Sequence, residues 1–448
     1  MDQPRSGPGE RSTLAARAWA LMGAARLFLE GLFRTAVAAA HPEGCLRPHL
    51  PAAPSGRLIM LAAGKAAGSM VHVAEHHYLD GGMPAGRISG LAVTRHGYGC
   101  PTRIVRVVEA GHPLPDAAGL AATIEALALA ESAGPHDLVL VLVSGGASAN
   151  WIAPAAGLSL ADKQAVTRAL LASGASIVEI NTVRKHLSRI KGGRLAQHAF
   201  PAPLVAVAIS DVPGDDPAVI GSGPTVPDPT TLADARAIVA RHDLNVPPLV
   251  AQALADPANE TPKPGDPVFA QTSFDLAARP AEVFRAVEHA VRAAGYDCVL
   301  LGTAIEGEAR EVAATQARLA LDLRVKGRRA VILSGGELTV TLRGRGRGGP
   351  NQEYALALAI TLAQAAGIAA LAGDTDGTDG GGGRAVDPAG AFIDGTTLVR
   401  AGHLGLDPAA FLRDNNSTEF FEKLGDLLTP GPTLTNVNDF RAILVDSA

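Results

Sequence analysis

Cysteine, aromatic residues and unbroken apolar stretches are all scarce in this chain, and each scarcity closes off a class of protein. Three cysteines, Cys45, Cys100 and Cys298, lie far apart in 448 residues with no CxxC pair. A disulfide scaffold and a zinc–thiolate site are thereby disfavoured, and the thiols are expected to be buried structural groups. Aromatics make up 4% of residues against 47% apolar overall, so the cores must be built from Ala, Val, Leu and Ile, a diet that suits alternating layers of helix and sheet. The net charge of −5 mixes both signs. It leaves no electrostatic footprint for nucleic acid and no polybasic patch for a membrane surface, so a small-molecule partner is expected. The apolar N-terminal stretch is interrupted by Arg17, Arg26, Glu30 and Arg34, which argues against a bilayer span or a signal-peptide core. Arg26, Glu30 and Arg34 recur at every fourth position, the polar edge of an amphipathic helix. The expectation is a cytoplasmic protein that begins with a docking helix.

What the chain does contain is a repeated alternation. "RLIMLAAG", "GLAVT", "RIVRVVEA", "DLVLVLVSGG" and "APLVAVAISD" are apolar runs of strand length, most separated by Ala/Leu-rich helical windows. Near-continuous apolar strands between helices indicate mainly parallel sheets covered on both faces. Length suggests two domains. The proline-rich stretch "DPANETPKPGDP" (256–267) is the expected linker between an N-terminal α/β domain (1–255) and a C-terminal one (268–448). The fold class is therefore α/β, with two mainly parallel, helix-covered sheets.

In such sheets ligands collect beyond the carboxyl ends of the strands, and the unusual residues fall at those ends. Gly64 and Lys65 sit where a strand gives way to a helix, a place suited to gripping an anion, although a solvated lysine fits equally. Ser144, Gly145, Gly146 and Ser148 offer amides and hydroxyls with little bulk, as a phosphate cradle or a tight turn would. Ser334, Gly335 and Gly336 echo the same Ser-Gly-Gly pattern and are grouped with it. On "NTVRKHLSRIKGGR" a continuous helix would put Arg184, Ser188 and Lys191 on one face, with Lys185 beside them; the alternative is an ordinary solvated face. Asp211 ends a strand, a good place for a proton acceptor, with Asp215 and Asp216 following in a turn. "LRGRGRGGPNQEYA" contains GxGxxG at Gly344, Gly346 and Gly349, the dinucleotide fingerprint, but Arg345 and Arg347 within it point instead to an anion clamp. Finally, "LAGDTDGTDGGGGRA" sets Asp374, Asp376 and Asp379 among glycines. Its spacing fails the EF-hand pattern, and repulsion among three carboxylates calls for an offsetting cation, with hydrated Mg²⁺ the candidate.

Taken in order, "GKAAGSM", "GHPLPD", "VSGGASA", "NTVRKHLSRIKGGRLA", "SDVPGDDPAVIGSGPTVPD", "LSGGELTV", "GGPNQEYALALA" and "AGDTDGTDG" resemble the class II glycerate kinases, the glycerate 2-kinase family with a C-terminal MOFRL domain, from about Leu14 to Val445. The resemblance implies phosphorylation of D-glycerate to 2-phosphoglycerate by ATP with a divalent metal, in a cleft between two domains; a homodimer is the candidate assembly, which the sequence does not fix. It implies Lys65 as the essential lysine, Asp211 as the aspartate facing the substrate, and Asn351 as part of a substrate-side Asn-Gln pair. Relatives often carry Arg where this chain has Pro350, so Arg345 or Arg347 is the expected substitute. On this reading Lys65 and the loop arginines balance phosphoryl charge, and the 144–148 turn cradles an anion. Arg184, Lys185 or Lys191 hold the carboxylate, and Asp374 with Asp376 or Asp379 positions Mg²⁺. The rivals are an NAD(P)H-dependent hydroxypyruvate reductase, supported by the formal GxGxxG, and a non-catalytic small-acid binding protein.

Overall fold

The computed structural model describes residues 8–380, 384 and 386–446, with side chains from residue 23 onward. The chain forms two compact units. One comprises residues 40–279 together with 434–437; the other takes the first helix up to Ala39, residues 280–433 and the chain from Asn438.

The first unit is built on a six-stranded sheet of β1 (Leu58–Ala63), β2 (Ile88–Arg95), β3 (Arg106–Ala110), β4 (Leu138–Val143), β5 (Leu204–Ile209) and β6 (Thr272–Ala278), in the order β3-β2-β1-β4-β5-β6. Every pairing is parallel. The central pair explains the unbroken apolar runs: all six residues of β1 and all six of β4 are buried, as parallel strands covered on both faces must be. Helices follow the strands, Ala67–Asp80 after β1 and Ala117–Glu131 after β3. The core is the expected one of small and branched aliphatics, among them Ile59, Val93, Ala126, Val141 and Ala206. The strand order reverses direction between β1 and β4, since β2 and β3 are added on one side and β5 and β6 on the other. Such a switch point opens a crevice at the carboxyl ends of the two strands.

The proline-rich stretch lies inside this unit. Residues 256–267 carry the turn Pro257–Asn259, Thr261 is buried, and the chain continues into β6 before the units part after Arg279.

The second unit holds β7 (Asp297–Gly302), β9 (Ala330–Gly336), β11 (Ile368–Asp374), β12 (Gly390–Asp394), β13 (Leu427–Leu428) and β14 (Asp439–Val445), in the order β13-β12-β11-β14-β9-β7. A separate two-stranded ribbon pairs β8 (Gly307–Glu308) with β10 (Leu338–Thr339). The two-domain α/β class holds, but mainly parallel pairing does not extend here. Among the described strands of this six-stranded sheet only β7 and β9 pair in parallel, while β14 enters between β9 and β11 and pairs antiparallel with both. An apolar run reports burial on both faces, not direction, so the sequence pattern could not distinguish the two. The first helix, Pro8–Ala40, packs in this second unit. Arg26 reaches Asp426 at 3.2 Å and lies over the Phe392 ring at 4.3 Å, and Phe33 meets Phe440 edge to face. No described helix is long and apolar enough to cross a membrane.

Candidate active site

The reversal between β1 and β4 is where the sequence-predicted residues meet. β1 ends at Ala63, and Gly64 turns the chain with φ of +116°, where a Cβ would overlap Ser144. The two strand ends are then laced together beyond the sheet. Ser144 N donates to Ala63 O at 3.0 Å, Lys65 N to Gly145 O at 2.8 Å, and Ala66 N to Ser144 Oγ at 2.9 Å. Ser144 therefore spends its hydroxyl on holding the Lys65 turn. Gly146 is left-handed, and a Cβ there would stand 3.0 Å from the His112 ring and 3.4 Å from Lys65 Cγ. A Cβ on Gly145 would overlap Asp211 Oδ2 and Asn436 Nδ2. Lys65, His112, Asp211 and Asn436 thus surround one Gly-Gly peptide, which must be glycine because of what leans over it. Asn436 Nδ2 donates to Asp211 Oδ2 at 2.6 Å.

Beside this cluster lies a group of buried cations. Lys191 Nζ donates to Ser148 O at 2.8 Å, and Arg184 Nη2 reaches the same carbonyl at 3.4 Å. Lys163 Nζ donates to Leu187 O at 2.9 Å and Arg184 O at 3.3 Å. Burial, with Arg184 and Lys163 nearby, pushes Lys191 well below the ordinary lysine range; burial, with Arg184 and Arg194 nearby, does the same to Lys163. Burial lowers Arg184 as well. Their hydrogen bonds run to backbone carbonyls, and burying cations on neutral acceptors costs free energy that a neighbouring anion would offset. Ser148 Oγ meets Ser222 Oγ at 2.7 Å.

This convergence does not come from a helix face. The helix Ile177–His186 stops before Ser188, because the Ser188 hydroxyl accepts from Ile190 N and Lys191 N at 3.3 Å each and competes with further helical turns. The following chain pairs with a left-handed segment through Gly192 N to Ser222 O and Gly193 N to Gly223 O, which sets Lys191 against Ser148. Ser188 thus shapes the turn. Lys185 points elsewhere, into a buried pair with Asp228 at 3.4 Å. Asp216 Oδ1 accepts Ala218 N within its own turn.

The remaining expected residues fall in the second unit and are occupied differently. Ser334, Gly335 and Gly336 close strand β9 rather than opening a helix. Ser334 is buried against Gln316 and Arg441, and a Cβ on Gly335 would meet Phe284, so the echo of 144–146 is in letters only. The GxGxxG also lacks its context, since the strand before it, β10, is two residues long and pairs only with β8. Its glycines allow close packing: Cβ atoms on Gly344 and Gly346 would overlap Asp414 and Asn416, and one on Gly349 would overlap Asp379. Arg345 is exposed, with its amide on Asp414 Oδ1, and Arg347 pairs with Glu422 at 3.2 Å.

The aspartates of the acidic loop accept hydrogen bonds from the chain around them. Asp374 Oδ1 accepts Asp376 N, and Asp376 Oδ1 accepts the amide and hydroxyl of Thr378. Asp379 caps the helix Pro350–Leu362: Oδ1 takes Asn351 N and Nδ2, and Oδ2 takes Gln352 N and Nε2. Pro350 has no amide to offer, so the carboxylate serves the next two donors and the positive end of the helix. Asn351, in turn, bridges Asp379 and Asp439 in the interior. Burial, then the Asp439 charge, raises Asp379 to about 7 against the amides that lower it. Asp379, with both oxygens committed to the helix, does not fit a Mg²⁺ ligand, and among the described residues no group of three or more His, Cys, Asp or Glu side chains is placed to hold a metal.

A profile of the family described as "Domain of unknown function (DUF4147)" matches residues 28–255, and one of the MOFRL family matches residues 330–439. A D-glycerate 2-kinase of Thermotoga maritima is 37% identical over 413 residues, 91% of this chain and 95% of that protein. The chain belongs to the glycerate kinase family with a MOFRL domain. The crystal structure of a glycerate kinase from Thermotoga maritima matches with a TM-score of 0.83 at 35% identity, covering 94% of this chain and 100% of that one. A protein of Agrobacterium vitis provisionally named a hydroxypyruvate reductase is 47% identical over 429 residues, 94% of each.

Within this member of the glycerate kinase family, His112, Lys163, Ser222 and Asn436 stand in or beside the cluster without having been assigned from sequence. His112 was within reach of the strand-end rule, following β3 inside "GHPLPD". Asn436 carried no signal, being 225 residues from Asp211.

Proposed function

We propose that the chain transfers the γ-phosphoryl group of ATP to the 2-hydroxyl of D-glycerate. The observation that carries the reading is the meeting of Lys65 and Asp211 around the Gly145–Gly146 peptide, next to buried cations that want an anion. Phosphoryl transfer asks mainly for positioning and charge neutralisation, and this cluster supplies both. Arg184 and Lys191 take the glycerate carboxylate, restoring the charge balance that burial has upset. The hydroxyl oxygen attacks the γ-phosphorus, the bond to the bridging oxygen of ADP breaks, and the hydroxyl proton passes to Asp211. Lys65 offsets the negative charge on the transferred group. The 2-hydroxyl, rather than the 3-hydroxyl, is supported by the names of the Thermotoga maritima and Pyrococcus horikoshii relatives.

Hydroxypyruvate reduction is the competing reading, supported by the names of two Agrobacterium vitis relatives. Its GxGxxG is out of the usual context, because it follows a two-residue strand outside both main sheets. Two assays on one preparation separate the readings: ADP formation with D-glycerate and MgATP, and NADH oxidation with hydroxypyruvate. The expected result is ADP formation that falls about 100-fold or more in Lys65→Ala. Steady NADH oxidation without ADP formation would overturn the proposal.

A further inference from the structure

The first unit contains four residues that belong to it in space but not in sequence. After Thr433 the chain leaves the second unit, and residues 434–437 pack with the first before Asn438 returns. Both ends of the excursion are sharp: Leu434 has φ of +58° and Asn438 of +68°, a backbone region that non-glycine residues seldom occupy. The segment is pinned by Ser69 Oγ donating to Leu434 O at 2.6 Å and Thr435 Oγ to Ala40 O at 2.7 Å. Between these anchors Asn436 is 1% exposed, and its amide donates to Asp211 Oδ2 at 2.6 Å. The pair lies over Gly145, whose carbonyl receives the Lys65 amide.

We propose that Asn436 is a positioning residue for Asp211, holding one carboxylate oxygen so that the other faces the attacking hydroxyl. This rests on the reading in which Asp211 receives that proton. A strand-end aspartate at a loop has torsional freedom about χ1 and χ2, and a buried amide donor fixed at both ends of its own segment removes it. The glycine at 145 is the complement of this device, because any side chain there would occupy the space of the hydrogen bond. The C-terminal chain thus contributes a side chain to the catalytic group of the N-terminal half.

A double-mutant cycle in the full-length chain tests the role, with kcat, both KM values and Tm measured for wild type, Asn436→Ala, Asp211→Asn and the double variant. Asn436→Ala is expected to lower kcat about 100-fold, the usual consequence of a misplaced reacting group. KM for D-glycerate and ATP should stay within about twofold and Tm nearly unchanged. In the Asp211→Asn background the same change should cost nothing further, because its effect passes through the carboxylate. Additive losses, or an unchanged kcat in Asn436→Ala, would overturn the positioning role while leaving the kinase reading intact. If Asp211→Asn has no measurable turnover, the split between kcat and KM in the single variant decides. A wild-type chain that forms no ADP with D-glycerate would overturn the functional reading and this role with it.

Discussion

Lys191 is fully buried with its ammonium on a carbonyl, and its behaviour distinguishes a site that awaits an anion from an ordinary structural lysine. A base whose folded pKa is depressed binds fewer protons folded than unfolded, so its contribution to stability grows as pH rises from the folded value toward about 10.4, the free lysine value. An anion entering the cluster favours the charged form of Lys191. Titration calorimetry of D-glycerate into wild type and Lys191→Met reads the contribution of this contact. The same variant should bind D-glycerate about 10 to 100-fold more weakly, yet unfold with a free energy higher by on the order of 1 kcal/mol, because an uncompensated buried charge has been removed. Gly145→Ala is expected to act in the opposite sense, losing about 1–3 kcal/mol and most of the turnover as the new methyl displaces Asp211 and Asn436; Tm and kcat read the two losses. The strand-end positions of Lys65 and Asp211 were legible because each lies two residues beyond an apolar strand. Lys185 was misread because a basic run does not reveal which of its members has a buried carboxylate partner, here Asp228.

The helix Pro350–Leu362 shows how an element can absorb the charge that seemed to demand a metal. Its first residues find their acceptor in Asp379, so this aspartate is satisfied by amides rather than by a cation. Because burial raises Asp379 to about 7, the folded protein holds this proton more tightly than the unfolded one. The associated stability is full below about pH 4, the free aspartate value, and is lost as pH rises through about 7. Urea unfolding should therefore show stability declining across that window by up to a few kcal/mol. Asp379→Asn should show a flatter decline, because it has no proton to release across that window. Helix and strand positions were readable from periodicity, but the end of the helix at His186 was set by one hydroxyl, Ser188, in a run whose letters are otherwise helical. The glycines of the 344–349 loop likewise carried a nucleotide signature in sequence and a packing role in space.

The first sheet was legible nearly strand for strand, because parallel strands buried on both faces cannot be written without long apolar runs. The second sheet was not, because inserting β14 between β9 and β11 reverses neighbours without changing their composition. Chain order also concealed where the ends go, with the first helix packing in the unit built mainly from the C-terminal half and residues 434–437 in the other. Lys65, Asp211, Arg184 and Lys191 belong to one unit together with a residue from the far end of the chain, and all the chemistry proposed above is assigned to that unit. Phosphorus NMR of a mixture of the protein, MgATP and D-glycerate tests this most directly. Growth of the 2-phosphoglycerate resonance in step with ADP is the result expected. A 3-phosphoglycerate resonance, or no new phosphomonoester while the same preparation oxidises NADH with hydroxypyruvate, would contradict it.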